Sequence, residues 1–261
     1  LQDIINIIES VAPLSYQEAW DNSGLQVGDR NAEVREALLT VDVTESVVNE
    51  AISTGCDLIV SHHPLIFRGL KHLTGATPQE RCVIKALRHN IAIYSAHTSM
   101  DSYLHGVSGR MAEKLGIVDY GVLVPSVNAT EVGLGVIGDL AEPMNSEAFV
   151  EHVAQVFAAP NTALRWVERH GRLIRKVAIC GGAGAEFIEQ AIAQGADAFV
   201  SADFKYHELQ SAYQRITVVD MDHWVSEHFT REGFQELLSP YIPTRIARAD
   251  ESPIKYHAFN L

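Results

Sequence analysis

Six side chains in this sequence have the types and spacing to hold metal. His62 and His63 are adjacent and Pro64 follows them; His97 and Asp101 are four apart, as are His223 and Glu227. Residues i and i+4 share one face of a helix, so each His-x3-carboxylate can aim two donors the same way. Four imidazoles and two carboxylates are too many for one tetrahedral structural zinc. They suit two divalent ions sharing a carboxylate, which acidify a bound water and clamp a phosphate or carbonyl oxygen. Mixed nitrogen and oxygen ligation admits Zn, Mn, Fe, Co or Ni. Taken singly, each motif has a plainer reading as a solvated pair on a loop or helix surface. Their convergence on strand ends argues against that reading.

Neighbouring residues of an extended chain point to opposite sides. His62 and His63 can therefore share a pocket only where a strand ends and the backbone turns. The apolar run 58–60 supplies the strand, and Pro64 stops it. A second strand, 91–96, runs directly into His97. His223 begins a helix expected over 223–238, with Trp224, Phe234, Leu237 and Leu238 as its apolar residues. Residues 36–43 read as a strand, and Thr44 caps a helix over 45–54 that Gly55 ends. A helix over 78–89 turns Val83, Ile84 and Leu87 inward, and another spans about 106–115. Residues 131–139 read as a strand; Ser146 caps a helix that Pro160 ends; residues 175–180 form a strand before Gly181-Gly182-Ala183-Gly184. That glycine-rich turn serves either phosphate at a helix N-terminus or tight strand-to-helix packing. It lacks the lysine of a P-loop and the full G-x-G-x-x-G spacing. The turn-rich segment 20–28 is either a structured loop or brings Asp21 and Asn22 to the pocket. His207 either lines the cleft or lies on the surface.

The chain also repeats itself. Ala51, Ile52, Gly55, Asp57, Val60 and Ser61 recur as Ala191, Ile192, Gly195, Asp197, Val200 and Ser201. Where the first copy continues with His62-His63, the second continues with Ala202-Asp203. Residues 90–97 match 215–223 with a one-residue length difference, and each copy then places a His-x3-carboxylate. Strands alternating with helices argue for βαβ units. The expected fold is therefore α/β: two related units with mixed or parallel sheets and helices packed outside. The first covers 1–125 and the second 126–261, and the C-terminal segment is free to return to the first.

Bulk properties narrow the function. The net charge of −13 leaves no basic patch of the size a large nucleic-acid footprint needs. No apolar run approaches the roughly 18 residues of a membrane span. The N-terminal stretch reads as an amphipathic helix without a signal peptide's basic region. Three widely spaced cysteines without a C-x-x-C pair suit buried thiols in a reducing compartment, so the expected location is cytoplasmic.

Together, residues 20–28 (Trp-Asp-Asn-Ser-Gly-Leu-Gln-Val-Gly), Ser61-His62-His63-Pro64, His97-Thr98-Ser99-Met100-Asp101 and Asp222-His223-x3-Glu227 resemble the NIF-three-like family, the GTP cyclohydrolase 1 type 2 homologues. The resemblance spans essentially the whole chain and is to a short bacterial form without a large mid-chain insertion. It implies a two-domain NIF-three-like fold, a dinuclear metal centre and a toroidal homohexamer. By motif, the metal ligands it implies are His62, His63, Asp101, His223 and Glu227. His97 belongs to the motif, either as a ligand or orienting Asp101 or a water. Ser23 departs from the small apolar residue usual before Gly24. The expected activity is metal-dependent hydrolysis of a small nucleotide-like or phosphorylated substrate, with Glu227 or His97 moving protons. The alternative is a metal carrier or assembly scaffold without turnover.

Overall fold

The computed structural model describes residues 1–126, 129–159 and 162–257. The chain divides into two compact units, Leu1–Tyr103 with Thr230–Glu251, and Leu104–Phe229 with Ser252–Leu261. This division falls at 103/104, earlier than 125, because the helix 107–114 packs with the later strands. It also carries the chain back to the first unit after Phe229.

In chain order the elements of the first unit are α1 (Gln2–Val11), β1 (Gly24–Val27), β2 (Ala37–Thr40), α2 (Glu45–Thr54), β3 (Leu58–Ser61), α3 (Pro78–Arg88), β4 (Ala92–Ser95) and α4 (Thr98–Asp101). The second unit adds α5 (Val107–Lys114), β5 (Tyr120–Ser126), β6 (Ala129–Met144), α6 (Ser146–Val156), β7 (Arg165–Val167), β8 (Ile174–Ala183), α7 (Ile188–Ala193), β9 (Ala198–Ala202), α8 (Tyr206–Ala212), β10 (Thr217–Met221) and α9 (His223–Glu227). The chain then returns to the first unit with α10 (Thr230–Leu238) and β11 (Thr244–Ile246).

The first sheet runs β1-β4-β3-β2-β11, with only β1 antiparallel to its neighbour. The second runs β5-β6-β8-β9-β10-β7, with a parallel centre of β8, β9 and β10. β2, β3, β4 and β9 are buried throughout, which is why they read as apolar runs without alternation. Each unit has its own core. Leu38, Ile59, Ile93, Val48 and Val83 pack in the first; Phe149, Val177, Val200 and Val219 pack in the second.

Several local expectations shift. On α3 the buried face is Cys82, Val83 and Ala86, while Leu87 is exposed. Asn145, rather than Ser146, caps α6, its Oδ1 accepting the Ala148 amide at 2.8 Å. Pro160, expected to end that helix, lies outside the described residues. The helix expected over 223–238 is two helices. The His228 ring Nδ1 bonds the Val225 carbonyl at 3.0 Å, the acceptor that an unbroken helix would give to the Phe229 amide. The glycine-rich segment is the end of β8 rather than a turn.

Candidate metal sites in the two units

The backbone after β3 turns as the His-His pair requires. Successive amides of His62 and His63 donate to the carbonyls of Thr40 and Val41, at 3.1 and 2.9 Å. Ser61 Oγ donates to the His63 carbonyl at 2.9 Å. Both rings consequently face one place, with centroids 5.0 Å apart. His97, just past β4, closes a triangle with them at 5.3 and 5.4 Å. One donor atom from each of His62, His63 and His97 lies within 4.8 Å of the others. Asp101, one turn along α4, places Oδ1 3.6 Å from His62 Nε2.

Each of these rings is held from behind. His62 Nδ1 lies 3.0 Å from the Ala96 carbonyl oxygen, His63 Nδ1 lies 2.9 Å from Asp42 Oδ1, and His97 Nδ1 lies 2.8 Å from Asp21 Oδ1. A carbonyl or carboxylate oxygen can only accept, so Nδ1 carries the proton. That leaves Nε2 with its lone pair for a metal, the arrangement that orients imidazole ligands in metal proteins. The donors are nitrogen and oxygen only; the three cysteines are buried. The donor set fits a divalent metal ion.

Asp21 carries the densest of these supports. Burial of its carboxylate alone would raise its pKa. Hydrogen bonds from His97 and Thr98 more than offset that and hold it well below the usual range. The Thr98 hydroxyl and amide donate to Oδ2 at 2.6 and 3.0 Å, and the Asn22 amide donates to Oδ1 at 2.7 Å. Ser23 Oγ also donates to Oδ2, at 2.9 Å, and accepts the His97 amide at 3.1 Å. The Ser23 hydroxyl thus ties the Asp21 loop to His97. Asp21 does approach the site; Asn22 instead donates to the Ile66 carbonyl at 2.6 Å. Further back, buried Asp250 accepts the Val41 amide at 2.7 Å and pairs with Arg231, fixing the end of β2 one residue before Asp42.

In the second unit α9 presents His223 and Glu227, with Nε2 and Oε2 3.1 Å apart. Asp222 caps this helix through the Val225 amide. His223 Nδ1 lies 2.7 Å from Asp203 Oδ2. Partial burial would lower the imidazole pKa, but hydrogen bonds to Asp203 and Glu227 win and raise it to about 11. Two carboxylates converging on one ring favour a cation there, whether proton or metal. Asp203 adopts a left-handed φ of 61° immediately after β9. Glu227 is buried beside Gly182, whose φ is +64° and where a Cβ would collide with the Glu227 carboxylate. The Gly181 and Gly182 amides donate to Ser108 and Ser226 at 3.2 and 2.8 Å, so these glycines serve packing rather than phosphate. His207 is exposed and bonds Gln210.

The supporting residues Asp42 and Asp203 escaped the sequence reading. The available signal was position: Asp203 follows directly on β9, which the repeat had located, and Asp42 lies two residues past β2. His97 groups with the two histidines, and Asp21, not Asp101, holds its ring.

Residues 1–251 match the family described as Duf34/NIF3 (NGG1p interacting factor 3). A GTP cyclohydrolase 1 type 2 homolog of Clostridium perfringens is 35% identical over 228 residues, covering 87% of this chain and 86% of that protein. A homolog so named from Streptococcus pneumoniae is 31% identical over 242 residues, covering 92% and 90%. A solved Bacillus cereus protein related to NIF3 matches with a TM-score of 0.88 at 26% identity, with 98% of each chain covered. A hypothetical protein of Staphylococcus aureus matches with a TM-score of 0.90 at 27% identity and the same coverage.

Proposed function

We propose, from the premise that this chain belongs to the Duf34/NIF3 family, that it is a metal-dependent hydrolase of a small nucleotide-like or phosphorylated substrate. The observation that carries the reading is the shared support of the imidazoles. His63, His97 and His223 each have Nδ1 on a carboxylate, and His62 has it on a carbonyl. Metal-ligating imidazoles are oriented through their second nitrogen in this way, and the held rings of His62, His63 and His97 also bring one donor atom each within 4.8 Å of the others.

Two divalent ions per chain would be held by His62, His63 and Asp101 of the first unit and by His223 and Glu227 of the second. When bound, such ions acidify a water and polarise a substrate oxygen. Asp42, Asp21 and Asp203 keep the rings in the ligating tautomer. Glu227 and His97 are the groups placed to take up or return a proton. The names of the relatives point to GTP as the first substrate to try. A homohexamer, implied by the family resemblance, is part of this reading and is open to light scattering.

The test is turnover by protein loaded with Zn, Mn, Fe, Co or Ni, beginning with GTP and extending to other nucleotides and small phosphoesters. We expect hydrolysis that a chelator abolishes, that metal restores, and that His62→Ala lacks. Metal-loaded protein that turns over none of them would overturn the hydrolase reading and favour the carrier or scaffold alternative.

A further inference from the structure

Trp20 and Phe67 are large aromatic side chains left 60% and 47% exposed, and they lie together, with ring centroids 6.0 Å apart. Adjacent exposed aromatics forgo burial that each would gain elsewhere, which marks such a patch for a ligand or partner. Both rings also meet His97 edge-on, at 6.1 and 6.4 Å. They therefore flank the imidazole group while much of each side chain stays exposed.

The patch is built on fixed backbone. Trp20 directly precedes Asp21, the carboxylate held by His97, Thr98, Asn22 and Ser23. Phe67 lies four residues after His63, on a different loop. Ile66, its neighbour, is tied at both backbone atoms, to the Trp20 loop and to β1 that follows it. Its carbonyl accepts Asn22 Nδ2 at 2.6 Å, and its amide donates to Gln26 Oε1 at 3.2 Å. Asn22, and Gln26 of β1, which itself donates to the Asn22 carbonyl, thus fix the Phe67 loop against the Trp20 loop. The planes meet at 57°, an open V rather than a slot. A planar guest stacks on one ring and meets the other edge-on, both favoured aromatic geometries. The Phe67 loop also exposes Arg68 and Lys71, local positive charge in a chain of net charge −13.

We infer that Trp20 and Phe67 form a stacking platform for a nucleobase, which presents the edge of its ring to the His62, His63 and His97 group. This names the substrate class of the site proposed above and rests on that reading. The stacking preference is for an aromatic face and extends to any nucleobase.

The test is calorimetric titration of metal-loaded protein with GTP, ATP and UTP, with inorganic triphosphate as the ringless control. Trp20→Ala and Phe67→Ala should each weaken nucleotide binding by about tenfold. Trp20→Phe should stay within about threefold of wild type, and bound metal should be unchanged in all three. Triphosphate should bind more weakly than GTP and should not respond to the substitutions. Nucleotide affinity unchanged in the double alanine variant would overturn the inference. So would triphosphate binding as tightly as GTP, or no nucleotide binding to wild type. Nucleotides that bind through Trp20 and Phe67 without turnover would leave the platform standing and sink the hydrolase. Turnover of a ringless phosphoester, undiminished in the double variant and without nucleotide binding, would do the reverse.

Discussion

The two units share a frame and differ at its end. In each, three parallel strands are in matching register: Ala37, Leu58 and Ala92 align in the first, and Val177, Ala198 and Thr217 in the second. An antiparallel strand then flanks β4 and β10 alike. The aspartate of the repeat has the same task twice. Asp57 accepts the Arg35 and Glu36 amides, and Asp197 accepts those of Arg175 and Lys176. Gly55 and Gly195 stop their helices at φ of 79° and 78°. Beyond the strands the copies part. The first places His62 and His63 where the second has Ala202 and Asp203. Asp42 has no carboxylate counterpart among the described residues of the second unit, where β8 shifts register against β9 after Ile179 and continues through Gly181, Gly182 and Ala183. The first unit is therefore rich in imidazole, with carboxylates behind the rings. The second supplies one imidazole between two carboxylates. One scaffold thus gives two donor sets of different charge.

The largest effect that would sharpen this contrast is at the supporting carboxylates. Asp21→Asn strands several buried donors, so it should cost about 3 kcal/mol of stability and lower metal affinity about 10–100-fold. Asp203→Asn should lower metal affinity about tenfold but hardly move stability. Its side chain is half exposed, and asparagine tolerates the same left-handed backbone. Chemical denaturation beside metal titration separates the two. Equal stability losses would break the contrast.

Gly182→Ala comes next. It forces a Cβ against Glu227 at a left-handed φ, so about 1–3 kcal/mol should be lost along with metal affinity. Gly195→Ala meets no atom within 4 Å, and should cost only about 1 kcal/mol with metal binding intact. Asp57→Ala and Asp197→Ala should each cost about 1–3 kcal/mol, because each leaves two amides without their carboxylate. Similar losses support the common frame, and a loss in one alone would deny it.

The smallest effect is on acidification. Hydrogen bonds from the Thr74 hydroxyl and amide and the Ala76 amide lower the Glu80 pKa from 4.5 to about 2. The folded value lies below the unfolded one, so this contribution is complete above about pH 4.5 and disappears as pH falls toward 2. Glu80→Gln should lower Tm by a few degrees at neutral pH, and the difference should shrink in acid. A constant difference across that range would contradict the assignment.

The parallel strands were legible because buried strands show as short apolar runs, and the repeat matched two of them in each unit. Thr44 and Gly55 marked the ends of α2 by their own chemistry. The His-His turn was legible because adjacent side chains on a strand diverge. What stayed hidden depends on contacts across the sequence. Asp42 reaches His63 across 21 positions, and nothing local marks it as a partner; the turn-rich segment offered Asp21 to the pocket, but its partner His97 lies 76 positions away. The break at 228–229 was equally hidden, since it rests on one side-chain bond to a carbonyl. The glycines at 181–182 read as serving either phosphate or tight strand-to-helix packing, and packing is their cause: a Cβ at 181 would meet Val107 and one at 182 would meet Glu227.

The most direct measurement of the central claim is metal content per chain by mass spectrometry, for wild type beside His62→Ala and Glu227→Ala. The account expects about two ions per wild-type chain, falling in both variants. Wild-type protein that carries no metal, and takes up none from Zn, Mn, Fe, Co or Ni, would contradict it.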